Sequence, residues 1–191
     1  MDLKQYINAY SSVSLDSEGY RLGSFIDFFD DNFDKDLLSF DVFIIGVPEG
    51  RLSLGNEGCA LAPDEIRSSL YAMYEGEWGL KILDLGNLRV GQTVEDTYAA
   101  LEQLTSYIIK LSKVLVVLGG GHDLITPIYR GHCSFGKPLN LASADAYLDF
   151  QDGENYHSRS FLSHLLASQE SMLSTYNLFG YQGYFCDPKE V

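Results

Sequence analysis

Apolar residues fall along this chain in two rhythms. Asp41 to Val47 (DVFIIGV) is a short unbroken apolar run rich in β-branched residues, the pattern of a parallel strand buried on both faces. Leu80 to Leu85, Val114 to Leu118, Leu139 to Ala142 and Tyr176 to Gly180 read as further strands. Between them the spacing changes to three and four. Val94, Tyr98, Leu101, Leu104, Ile108 and Leu111 predict a helix that Thr93 and Asp96 open as a capping box and that runs to about Ser112. Pro63 with Asp64 and Glu65 opens an earlier helix, its buried face expected at Ile66, Leu70 and Met73. Thr126 and Pro127 read as N-cap and first residue of a short helix, and Phe161 to Leu166 as another. Ahead of these, residues 1–40 form an irregular N-terminal extension. There Phe25, Phe28, Phe29 and Phe33 allow a short helix with Asp27, Asp30, Asp31, Asp34 and Asp36 facing water.

Strands alternating with helices at this spacing mean parallel pairing with right-handed crossovers, so the fold class is α/β. No repeat or linker divides the chain, and residues 1–191 read as a single domain.

With 191 residues, 46% of them hydrophobic, the chain can bury a core without disulfides. Its net charge of -14, with no run of Lys or Arg, argues against nucleic acid or an anionic membrane as partner. Cys59, Cys133 and Cys186 are widely spaced, odd in number and match no zinc spacing, so they read as reduced thiols. The first residues lack the blocks of a signal peptide, and no apolar run approaches the about 20 residues that span a bilayer. A soluble, cytoplasmic protein is expected.

The chemistry concentrates between Val114 and Asp149. Here a strand ends in Gly119, Gly120, Gly121 and His122, and the next strand ends in Asp145 and Asp149. Ligands bind at the carboxyl edge of an open parallel sheet, and imidazole with carboxylates suits a hard or borderline divalent metal. Other readings fail on single residues. A dinucleotide fingerprint needs glycine at 124, where Leu124 stands; GHCSFGKP, from Gly131, has Pro138 where a phosphate loop needs Ser or Thr. His132 beside Cys133 lacks the geometry of a base and nucleophile. The aspartates of the extension lack the EF-hand order for calcium.

Several pieces, in order, resemble the ureohydrolase superfamily of arginase, agmatinase and formimidoylglutamase, with formimidoylglutamase-like style in the first metal motif. They are GVPEGRLSLGNEGCALAPDEIR, LGGGHDL, SADAYLDF and YNLFGYQG, spanning residues 41 to 183. The resemblance implies a three-layer sandwich with a mainly parallel sheet. It implies manganese-dependent hydrolysis of a small-molecule amidine or guanidino compound, with a metal-activated water attacking the central carbon. On the matching positions His122, Asp145 and Asp149 would be metal ligands, and His157 would lie near the substrate.

Two departures shape the expectation. Tyr147 stands where the family carries the middle histidine of its Asp-Ala-His-x-Asp segment, and the late Asp-x-Asp segment has no counterpart here. The three remaining ligands serve one manganese ion at most. The family's later strands lie inside its sheet, which predicts a gap or open edge and association into a homo-oligomer. Three functions follow as expectations: a pseudoenzyme with absent or weak amidine hydrolysis, an active single-metal or intermolecularly completed hydrolase, and a non-catalytic binding or assembly scaffold.

Overall fold

The computed structural model describes residues 1–10, 19–76, 79–151, 156–168 and 171–188. Its strands are β1 (Ile7–Asn8), β2 (Ile26–Phe28), β3 (Val42–Gly46), β4 (Ile82–Leu88), β5 (Val114–Leu118), β6 (Leu139–Ala144) and β7 (Leu173–Phe179). Its α-helices are α1 (Ala62–Tyr71), α2 (Val94–Lys110), α3 (Ile125–Cys133) and α4 (Phe161–Ala167).

β3 lies between β4 and β5 and pairs parallel with both. The outer edge of β4 takes β2 parallel along its first residues and β1 antiparallel along its last. β6 and β7 form a separate parallel pair joined by the crossover through α4. Among the described residues no backbone ladder joins β5 to β6. The two sheets are instead tied through α3, which packs on α2 and sends Tyr129 into the apolar cluster beneath β6 and β7.

Layering follows from the alternation of side chains. Phe43, Ile45, Leu83 and Leu85 face Leu101, Leu104 and Ile108 of α2 in the largest cluster, and each fully buried aliphatic side chain contributes about 1.5–3 kcal/mol. Ile44 points the other way, toward Tyr71 and Leu70 of α1. Helices on both faces explain why β3 reads as an unbroken apolar run. The capping box of α2 forms as expected: Thr93 Oγ1 accepts from Asp96 N at 3.1 Å, and Asp96 Oδ2 accepts from Thr93 N at 2.9 Å.

Three local expectations are corrected. No helix forms at Phe25 to Phe33: a 3-10 turn at Leu22–Ser24 leads into β2, because the edge of β4 offers backbone partners that outweigh the local spacing. Ile66 and Met73 are 40% and 60% exposed; α1 instead buries Pro63, Arg67 and Tyr71, drawn inward by Asp84 of β4. Thr126 is not an N-cap, because a 3-10 turn at His122–Leu124 runs straight into α3 and Thr126 Oγ1 serves Tyr156. The three cysteines are free thiols, and no described helix is long and apolar enough to cross a membrane.

Candidate metal centre

The glycine run after β5 lets two pieces of backbone meet. A Cβ on Gly120 would fall 2.2 Å from Glu49 O and 2.7 Å from Val47 O, so only hydrogen fits. Gly121 N donates to Glu49 O at 2.8 Å. The loop after β3 is held in turn by Glu49, buried and bonded to Arg51, whose guanidinium also donates to the carbonyls of Gln92 and Thr93 at the start of α2. This brace sets the direction in which His122 leaves the sheet.

His122 meets two aspartates there. Its Nδ1 lies 2.7 Å from Asp149 Oδ2 and 3.4 Å from Asp145 Oδ2. One ligand atom from each of the three residues falls within 4.8 Å of the others. Asp145 follows β6, and its N–H still bonds Phe179 O of β7 at 2.9 Å. Asp149 is buried and holds φ at 53°, a left-handed conformation that aspartate tolerates better than most side chains and that concentrates at functional positions. The Phe161 ring, 4.8 Å from the imidazole, limits its rotation. The hydrogen bond to Asp149 raises the His122 pKa, with the charges of Asp145 and Asp123 adding to it against burial. Two carboxylates turned on one imidazole nitrogen form a donor group that a dication would satisfy. One nitrogen and two carboxylate donors within coordinating reach fit a divalent ion such as manganese.

The neighbours of the three differ in role. Tyr147 N donates to Asp145 Oδ1 at 2.9 Å, while its ring packs on Phe185 and lies 4.9 Å from the Arg159 guanidinium carbon. His157 stands outside the ligand group, in the turn before α4, where its Nδ1 accepts from Arg159 N at 3.2 Å. Asp123 was not singled out by the sequence pattern, although it is fully buried behind His122. Its carboxylate accepts the Tyr98 hydroxyl and its carbonyl accepts the Tyr156 hydroxyl at 2.7 Å. Burial raises the Asp123 pKa, an effect the Tyr98 hydroxyl partly offsets. A fully buried acid next to a histidine is legible in LGGGHDL only once the glycines are known to press against Glu49.

Comparison with known proteins bears on this geometry. The model of the arginase family matches residues 40–184. An agmatinase from Blochmanniella floridana is 27% identical over 128 residues, covering 61% of this chain and 42% of that protein. A formimidoylglutamase from Corynebacterium efficiens is 32% identical over 110 residues, covering 56% of this chain and 34% of that protein. Among solved structures, formimidoylglutamase from Bacillus subtilis superposes with a TM-score of 0.75 at 17% identity, covering all of this chain and 61% of that one. Trypanosoma cruzi formiminoglutamase with Mn2+ gives 0.70 at 21% identity, covering 89% and 60%. The chain therefore spans less than two thirds of the length of each of these proteins.

Proposed function

The chain belongs to the arginase family, and from that premise we propose that His122, Asp145 and Asp149 hold one manganese ion while Tyr147 keeps amidine hydrolysis absent or weak. The observation that carries the reading is the convergence of the three ligand atoms at the ends of two strands. When bound, the ion supplies Lewis acidity that lowers the pKa of a water and so makes a nucleophile for an amidine carbon. The protein's own groups orient that chemistry. Asp149, buried, keeps the His122 imidazole facing the carboxylates, and the backbone of Tyr147 fixes one oxygen of Asp145. The phenol of Tyr147 is a poor manganese donor beside the imidazole that the family carries. Formimidoylglutamases recur among the relatives, so formimidoylglutamate is the first substrate to test.

Manganese titration followed by electron paramagnetic resonance tests the site. One equivalent should bind, and Asp149→Asn should weaken binding at least tenfold; no binding by the parent chain would refute the site. Tyr147→His should raise the capacity above one. Turnover of formimidoylglutamate, arginine or agmatine well above background in the parent would refute the loss of activity.

A second reading, a site completed by another copy, is favoured by one observation: the outer edges of β5 and β6 beside the centre carry no partner strand among the described residues. Activity that rises with protein concentration would support it, and a compact monomer at every concentration would remove it.

A further inference from the structure

Outside the ligand group of the metal centre, α2, α3 and α4 border a half-open cavity of about 780 Å³, with Glu95 and Arg130 at its exposed rim. That is far beyond the roughly 30 Å³ one water occupies and inside the range of small-molecule sites. Glu95 and Glu102 line it from α2, two helical turns apart, and Arg130 lines it from α3. Among the described residues none of these three charges forms an ion pair. His164 lies on the same wall. The Tyr98 and Tyr156 rings add faces that favour a cation, and Tyr156 meets His164 edge-on at 5.2 Å.

We propose that this cavity is a second ligand site, separate from the metal centre, for a small zwitterion that bears an ammonium or amidinium group and a carboxylate. Two carboxylates and the Tyr98 ring on α2, with the Tyr156 ring beside them, take the cationic end. Arg130 takes the anionic end, by the paired N–H geometry that suits a carboxylate. A simple cation would face Arg130, and a simple anion would face two glutamates. The hydroxyls of Tyr98 and Tyr156 also hold Asp123, so two residues of the cavity wall bond the residue beside His122. The proposal does not require a metal to be bound.

The test is titration calorimetry of the full chain in EDTA with three probes of one length: 5-aminopentanoate, pentylamine and pentanoate. The zwitterion should bind saturably and at least tenfold more tightly than either single-charge probe. Arg130→Met and Glu102→Gln should each weaken it tenfold or more while leaving the thermal melt in place. Backbone amide shifts should change first at Tyr98, Thr126 and Tyr156. Failure of all three probes to bind, equal binding of all three, or unchanged affinity in a folded Arg130→Met variant would each overturn the proposal.

Discussion

Replacing Arg67 by Met removes the polar centre of the α1 face. The Arg67 and Asp84 side chains are both 0% exposed. Nε donates to Asp84 Oδ2 at 2.8 Å and Nη2 to Asp84 Oδ1 at 3.0 Å, while Nη2 also reaches Gly86 O and Nη1 reaches Asn87 Oδ1, both at 2.6 Å. Burial opposes the guanidinium charge, but the paired Asp84 outweighs it and raises the Arg67 pKa. Methionine fills the volume but leaves Asp84 as an unpaired buried charge, which costs about 3–5 kcal/mol. The lower end applies, because the Tyr71 hydroxyl and Gly86 N still donate to Asp84. For a chain of this size that corresponds to a fall in Tm of roughly 6–12 °C. Urea unfolding followed by circular dichroism measures it. Arg67→Met with Asp84→Leu should recover much of the loss, since both charges are then gone. A single-variant loss below about 1 kcal/mol, or a double variant whose cost is the sum of the two singles, would refute the reasoning.

Two further outcomes follow from the brace around the metal centre. Burial raises the Glu49 pKa, but hydrogen bonds from Arg51 outweigh it and hold the carboxyl below its ordinary value. The stability it contributes is therefore present above the unfolded value and lost as pH falls through the depressed one. Glu49→Gln should be less stable near neutrality and show a flatter acid limb in thermal melts; acid limbs of equal slope would contradict this. Gly120→Ala meets backbone carbonyls at 2.2 and 2.7 Å, whereas a Cβ on Gly119 meets nothing within 4 Å. The first should cost about 1–3 kcal/mol and weaken manganese binding, and Gly119→Ala should do neither. Equal effects in melts and metal titrations would dismiss the close approach of the loop.

Strands β3 to β7 and the α2 capping box were legible because each rests on local pattern: DVFIIGV needs burial on both sides, and Thr93 with Asp96 needs only its own turn. His122, Asp145 and Asp149 were visible as residues at strand ends, yet spacing alone could not bring them within one coordination distance. That took the glycine turn pressed on Glu49. What the pattern missed was polar burial. Arg67 does not belong to the apolar face expected for its helix, because charged residues usually face water, although Asp84 inside the apolar run KILDLG already calls for a partner. β2 was missed for a related reason: three residues become a strand when a neighbouring edge is vacant, and that edge is forty residues or more away in sequence.

Among the described residues no ladder joins β5 to β6, and this has a mechanical consequence. His122 is anchored to one sheet and the two aspartates to the other, so an ion held among them would work as a rivet across a seam. Its binding energy would then add to the cohesion that α3, the Tyr156 bond to Asp123 and the Ser158 bond to Leu52 already give the two halves, and it would grow with the logarithm of free metal. Chelation would loosen the β6–α4–β7 half ahead of the rest, and amide exchange there would quicken while β3 and β4 stayed protected.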